Sequence, residues 1–397
     1  MTSEWHEVPL RELVGYISKG IAPSYAEEAS ESTIRVLNQK CNRNFRISYG
    51  DSRLHDTRKK KVPPERYVKP DDILINSTGA GTAGRIAQIE DVPSATTIDG
   101  HMILIRSNGK VTQKFLGYAL KAHQWEVLQL DEGSTGQTEL NRDRLLDEIM
   151  INYPVSLDEQ NAIVGTLESI DRKLIVNEQL NDNLYAQTKA IFDNHFINID
   201  AIPAGWRKGN LLDIANYLNG LAMQKFRPQG HEIGLPVLKI KELRQGSCDN
   251  SSERCSLSIK PEYIIHDGDV IFSWSGSLLV DVWCGGTCGL NQHLFKVTSD
   301  VYDKWFYYLW TAHHLARFIA IAADKATTMG HIKREELAKA EVLIPCEKDY
   351  TSLSSIMQPV FELIISNRIE SRKLAALRDE LLPKLMSGEI DVSAVQL

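Results

Sequence analysis

Three groups of residues in this sequence could carry chemistry. The run "GAGTAG", Gly79 to Gly84, satisfies the G-x-G-x-x-G spacing whose glycines let a backbone approach a pyrophosphate. That use requires the loop to open a helix, because the phosphates rest on the helix N-terminus. Here "RIAQIEDVP" follows, alternating apolar residues up to an early proline, and it reads as a strand. A tight turn is expected, with no cofactor. The second group is Cys248, Cys255, Cys284 and Cys288, with His293 nearby. Six and three intervening residues separate the cysteines of the two pairs, unlike the tight pairs of structural zinc sites, so buried thiols and no metal are expected. The third group is a basic run: from Arg35 to Lys69 eleven Lys or Arg stand against three acids, a local +8. Such a run suits phosphates. Neither G-x-x-x-x-G-K-[ST] nor Asn/Asp-Pro-Pro-aromatic occurs, and "VPPER" (Val62 to Arg66) does not match, so an enzyme acting alone is not expected.

The elements that must position these residues come twice. "WHEVPLRELVGYISKG" from Trp5 matches "WRKGNLLDIANYLNG" from Trp206: a Trp, a Leu-rich amphipathic stretch, then Gly20 or Gly220. "YVKPDDILINSTG" matches "YIIHDGDVIFSWSG", with Asp72 and Asp269 each opening an apolar strand. "IDGHMILIR" matches "LNQHLFKV" on His101 and His293, and "LNRDRL" matches "IKREEL" before Pro154 and Pro345. The order is kept throughout, so the chain is two copies of a unit of about 195 residues. Each copy opens with short β-branched runs broken by Gly, Pro, Asn and Asp, which predict a small mixed sheet. Helical segments follow near residues 112–130 and 303–322, and a long helix closes each copy, at 157–196 and 348–387. Each long helix would run about 60 Å.

Those helices carry a seam. Ile163, Leu167, Ile170, Leu174, Asn177, Asn181, Leu184, Thr188 and Ile191 alternate four and three residues apart, as do Ile356, Val360, Leu363, Asn367, Glu370, Leu374, Leu377 and Leu381. A 3.5-residue period predicts an antiparallel coiled coil of one helix on the other. Asn177 and Asn367 are equivalent in the repeat and would fix its register at a cost in stability. Pro383 falls in the last turns of the second helix, and Gly388 suits its stop. The expected architecture is α+β: a first globular unit at 1–154, a spacer helix at 155–200, a second globular unit at 201–346, and a second helix with its tail at 347–397.

The totals set limits. Of the 397 residues, 43% are apolar and 24% charged, ordinary for a folded soluble protein of two or three domains. No apolar run is long enough to span a bilayer, the N-terminus lacks a signal-peptide pattern, and six irregularly spaced cysteines suit a reducing compartment. A cytoplasmic protein is expected. The net charge of −7 alone would argue against nucleic acid, but Val155 to Asp200 carries a local −5 of its own, beside the basic run.

In "GSTGQTELNRDRLLDEIMINYPVSLDEQNAIVGTLESIDRKL" the sequence resembles the first conserved region of type I restriction–modification specificity subunits, and "ATTMGHIKREELAKAEVLIP" with "LAALRDELLPKLMSGEI" resembles the second. Glu159-Gln160 after Pro154 looks like the family's way into the helix; the second half has "PCEKDYTSL" instead and departs from it. The resemblance covers essentially the whole chain. It implies two target-recognition domains, each reading one half of a bipartite, asymmetric double-stranded DNA sequence. The helix pair would act as ruler and as docking surface for two modification (methyltransferase) subunits, with two restriction subunits as optional further partners. S-adenosylmethionine, ATP and Mg would belong to those partners, and this chain would have no catalytic residue.

On that reading the DNA-contacting candidates in the first unit are Lys40, Arg43, Arg46, Arg53, Arg58, Lys59, Lys60 and Lys61, with Ser77, Thr78 and Thr82 in the Gly-rich turn. In the second they are Gln224, Lys225, Arg227, Lys239, Lys241, Arg244 and Ser275. Trp5 and Trp206 read as core anchors. The reading from another class is a coiled-coil scaffold whose two units bind proteins.

Overall fold

The computed structural model describes residues 4–79, 81–132, 139–324 and 332–392. Two compact units divide the chain, one of residues 1–171 with 376–397 and one of 172–375. The long helices do not stand apart as domains of their own. Leu157–Phe192 and Glu347–Met386 each give residues to both units.

In the first unit the central strand Ile73–Asn76 is buried along its whole length. A continuous "ILIN" run is what a strand covered on both faces requires. Its alternation sorts the faces. Ile73 and Ile75 join Ile103 and Ile105 in the main core beneath the helix Gln113–Ala122, while Leu74 joins Met102 and Leu104 in a smaller core. The sheet order is Val14–Lys19, Met102–Ser107, Ile73–Asn76, Ile86–Gln88, antiparallel throughout. A second sheet pairs Thr96–Ile98 parallel to Thr33–Leu37, which runs antiparallel to Arg53–Asp56. The strands Trp5–Pro9 and Met150–Pro154 pair and close the unit.

The second unit repeats each of these features. Its antiparallel sheet runs Asn216–Asn219, Leu294–Thr298, Val270–Ser273, Leu279–Val282. Its mixed sheet pairs Leu235–Leu238 parallel to Cys288–Leu290, and Arg207–Asn210 with Glu341–Ile344 closes the unit. The Leu-rich stretches after Trp5 and Trp206, expected as amphipathic, are strands broken by a short helical turn, Leu10–Glu12 in one copy and Leu211–Ile214 in the other. The leucines Leu10, Leu13 and Leu211 are fully buried at those turns, so their spacing marks the turn and no extended helix.

Equivalent pairs hold the two copies in the same way. Asp72 accepts from the backbone N–H of Lys69 and pairs with Arg106 at 2.7 Å; Asp269 accepts from the N–H of His266 and pairs with Lys296 at 2.8 Å. A Cβ on Gly20 would lie 2.1 Å from the carbonyl oxygen of Asp99, and one on Gly220 2.3 Å from that of Asn291. Real atoms cannot approach so closely, and the obstacle is backbone. Gly20→Ala and Gly220→Ala are each expected to destabilise their unit by about 1–3 kcal/mol, measured as a lowered midpoint of chemical denaturation.

The first long helix begins on a buried side chain. Gln160 donates to the carbonyl of Pro154 at 2.9 Å and accepts from the N–H of Thr112 at 2.8 Å. The second helix lacks that glutamine, and at the equivalent place the Tyr350 hydroxyl accepts from the N–H of Asp303 at 2.6 Å. The departure from the family pattern is a substitution of one acceptor for another. At the far end the second helix passes through Pro383 to Met386, and Gly388 is left-handed at φ 76°, against the ring of Trp5. Trp206 packs on Phe196 and donates to Asp349, a core anchor like Trp5.

Within each unit the facing parts of the two helices run antiparallel. In the first unit Asp171 meets Arg378; in the second Asn177 meets Glu370 and Ser371, and Asn181 meets Asn367. The seam of the first helix is buried or half-buried at every expected position. That of the second needs correction. Ile356, Leu363 and Leu377 are 54, 44 and 45% exposed, whereas the neighbouring Leu353, Met357, Phe361, Ile364 and Leu382 are buried. This helix turns toward the aromatic core of its unit, where Phe361 packs on Tyr308, as well as toward its partner helix. A strict heptad therefore misplaces its buried face by one residue. Asn177 and Asn367 are buried, 0 and 7% exposed, but they do not pair with each other.

Candidate nucleic-acid interface

In the first unit a two-residue hairpin joins Asn42–Arg43 to Arg46–Ile47. Its tip residues Asn44 and Phe45 both take left-handed backbone, φ 53° and 62°. Asn tolerates this, and two such residues in series give the turn whose twist fits a hairpin. A bulky Phe there costs about 1–3 kcal/mol. The surroundings hold it: its ring packs on the main core under the Lys121 ammonium at 5.1 Å, and its carbonyl accepts from the Gln88 N–H.

That hairpin forms one wall of a cleft of about 740 Å³, with Lys40, Arg43 and Asn44 on one side and Gly79, Thr82 and Arg85 on the other. Three of the anticipated residues, Lys40, Arg43 and Thr82, therefore come together. Arg85, Asn44 and Gln39 complete the wall and were not anticipated. The "RNFR" run carried a hairpin signal in its Asn, while Arg85 gave no signal beyond its place after the glycines. Gln39 Oε1 and Asn42 Oδ1 are buried in this wall and have no hydrogen-bond partner among the described residues. Acceptors left so are costly unless a donor entering the cleft meets them.

The Gly-rich turn itself folds inward. The N–H groups of Thr82 and Ala83 both bond the carbonyl of Gly79, that of Gly84 bonds Asn76, and the chain continues into the strand Ile86–Gln88. With the amides of Thr82, Ala83 and Gly84 bonded to nearby carbonyls and a strand behind it, this turn lacks the geometry of a pyrophosphate loop. Ala80 lies outside the described residues, as do the stretches 133–138 and 325–331 of the two conserved regions.

Arg53, Arg58, Lys59, Lys60 and Lys61 stand outside the cleft, on the strand Arg53–Asp56 and the loop after it. Arg53 lies over the Tyr25 ring at 3.4 Å, Lys60 donates to the carbonyl of Ala22, and Arg58 pairs with Asp56. Asp56 is held below the usual carboxylate range by the Arg58 backbone N–H and then its side chain. Lys59 and Lys61 have no carboxylate partner among the described residues. Arg46 sits on the hairpin's second strand, half-buried. Ser77 is buried and Thr78 half-buried beside His101.

The second unit has no hairpin at this place; the short helix Ile240–Gln245 follows its parallel strand instead. Several cations expected on DNA are already neutralised there. Arg227 and Lys239 share Glu253, whose pKa is lowered first by the Lys239 hydrogen bond. Lys241 lies 3.7 Å from Asp249, whose carboxyl is brought down to about 2 by the Ser251 hydroxyl, the Gln245 amide and the Ser251 N–H. Gln224, Lys225 and Arg244 are exposed with no acidic partner among the described residues. A cation that keeps its carboxylate releases few counterions when a phosphate arrives, so the uncompensated ones should matter most. Lys59→Ala with Lys61→Ala is expected to lower the slope of log affinity against log salt by about 0.9 for each phosphate lost, whereas Lys241→Ala should change it little.

The cysteines are dispersed. Cys255, Cys284 and Cys288 are buried, Cys248 neighbours Cys288, and Cys284 faces the carbonyl of Ile365. No group of three or more His, Cys, Asp or Glu that could hold a metal lies among the described residues. Among them, too, no helix is long and apolar enough to cross a membrane.

Two copies of one α+β unit, each with a polar and cationic surface, define a recognition protein of duplicated fold. Residues 2–186 match the family described as type I restriction modification DNA specificity domain. In this first half the chain is therefore similar to the type I restriction–modification specificity subunits. It is 27% identical to the type I restriction enzyme MjaIX specificity subunit of Methanocaldococcus jannaschii over 323 residues, 75% of this chain and 73% of that one. It is 21% identical to the HindI specificity subunit of Haemophilus influenzae, over 52% of this chain and 48% of that one. The crystal structure of a type I restriction–modification S subunit from M. genitalium shares the fold, with a TM-score of 0.58 at 15% identity, covering 97% of this chain and 96% of that one.

Proposed function

We propose that this chain is the DNA-sequence-specificity subunit of a type I restriction–modification complex, and that it acts by recognition with no catalytic step or cofactor of its own. The observation that carries the reading is the pairing of a kept scaffold with diverged surfaces. Both units have the same sheets, the same Asp-to-cation braces and the same glycine contacts. Yet the first presents a hairpin and a cleft where the second presents a short helix. Two unlike heads on one scaffold would read two unlike half-sites, giving an asymmetric bipartite target with an unspecified gap. The long helices, uninterrupted where one unit gives way to the other, would set the gap and dock two modification subunits, which would supply S-adenosylmethionine; ATP and Mg would belong to restriction subunits. Asn177 and Asn367, held by side chains of the facing helix, would fix its register. Such a complex works on DNA in the cytoplasm.

The test is the salt dependence of duplex binding by the chain with its modification subunits. Affinity should fall steeply and linearly with log salt through counterion release. A protein-binding scaffold would ignore duplex DNA at every salt concentration. Within the cleft, Arg43→Ala with Arg85→Ala should weaken discrimination at one half-site by about 1–3 kcal/mol per lost base contact, leaving the other half-site unchanged.

A further inference from the structure

One polar device is retained in both units although its neighbours have diverged. In the first, the Thr78 hydroxyl lies 2.7 Å from His101 Nδ1; in the second, the Ser275 hydroxyl lies 2.9 Å from His293 Nδ1. The turn that carries each imidazole is built alike. The N–H of His101 bonds the Asp99 side chain, and that of His293 bonds Asn291. The His101 carbonyl accepts from the Ser77 N–H, the His293 carbonyl from the Trp274 N–H. Each turn rests on its glycine, Gly20 or Gly220, with no room for a Cβ. Around the device little else is kept: Ser77 stands where the second copy has Trp274, and Gly100 where it has Gln292.

A buried role would explain retention of the hydroxyls, but not of the imidazoles. His101 is exposed and His293 half-exposed, each with Nε2 directed away from its anchoring hydroxyl. The pair lacks what a nucleophile would need, since Asp99 accepts from the backbone of His101 and not from its ring. A single function therefore has to serve two units whose base-reading surfaces differ. What two different half-sites have in common is the sugar–phosphate backbone.

We propose that His101 and His293 are matched positioning residues that each donate from Nε2 to a DNA phosphate, setting both units on the duplex in the same orientation. This rests on the DNA-recognition reading above. The hydroxyl fixes the ring plane at Nδ1, and when it donates to Nδ1 the ring proton sits on Nε2, facing the phosphate. The Gln292 amide, 3.3 Å from His293 Nε2, can turn to the same phosphate. Sequence would then be read by residues that differ between the units, and orientation by the residues that do not.

The experiment measures affinity of the complex with its modification subunits for three duplexes: the full target, and the target with either half-site scrambled. His101→Ala and His293→Ala should each weaken binding about tenfold, the scale of a lost hydrogen bond to a charged group. The loss should be the same factor on every duplex that still holds the untouched half-site. His101→Gln, which keeps an N–H donor, should recover most of it, and Thr78→Val, which frees the ring, should lose a few-fold. Unchanged affinity in the alanine variants would overturn the proposal, as would a loss that appears at one base pair only. If the unaltered complex bound no duplex at all, the DNA-recognition reading itself would fall first.

Discussion

Four residues added to each long helix, between Leu174 and Ile175 and between Leu374 and Ala375, should lengthen the gap between half-sites by one or two base pairs. Both half-sites should stay as they were. Four residues extend a helix by about 6 Å, and each base pair advances the duplex by about 3.4 Å. Four residues also rotate the buried face by only about 40° from register, so the pair can still close. The insertion points lie on facing stretches, bracketed by Asp171 with Arg378 and by Asn177 with Glu370. The readout is the set of methylated positions before and after insertion. A changed half-site with an unchanged gap would show that the helices set no distance.

Asp171→Asn should cost the first unit about 3–5 kcal/mol. The Asp171 carboxylate accepts from the Tyr118 hydroxyl at 2.9 Å, from Lys121 at 3.0 Å and from Arg378 at 3.0 Å, and all three charged side chains are less than one-fifth exposed. Removing its charge leaves the Lys121 ammonium buried without its carboxylate, and leaves Arg378 with only the more exposed Asp379, at 2.7 Å. Burial alone would raise the Asp171 pKa; Lys121 and then Arg378 more than offset it, so the value lies below the ordinary 3.8. A depressed carboxylate stabilises fully above its unfolded pKa, and that contribution is lost as pH falls through the lower, folded value. The wild-type unit should therefore lose stability below about pH 4, and the Asn variant should lack this part of the acid transition. Chemical denaturation of both chains at pH 7 and pH 3 separates the two.

The duplication made most of the fold legible. The matched segments occupy equivalent strands, turns and short helices in the two units, and an Asp that braces a strand and a Gly that lies under a carbonyl leave fixed marks. The long helices stood out through length and period, and their ends fell within a few residues of expectation. The second seam was misread because Phe361 and Met357 answer to the core of their unit, not to the facing helix alone. The exchange of Gln160 for Tyr350 could not be foreseen, since it depends on which side chain reaches one backbone N–H. Site residues were harder. A basic residue in a sequence does not announce its carboxylate, and Glu253 is distant in sequence from Arg227 and close to it in space. Arg85 reaches its cleft only because the Gly-rich turn bends inward before it.

Sequencing the methylated adenines in a host that carries this chain with its modification subunits tests the central claim most directly. Two heads of one fold with different surfaces predict methylation within a single asymmetric target: two dissimilar short half-sites, separated by a gap of constant length and arbitrary sequence. One continuous motif, or two identical half-sites, would contradict it.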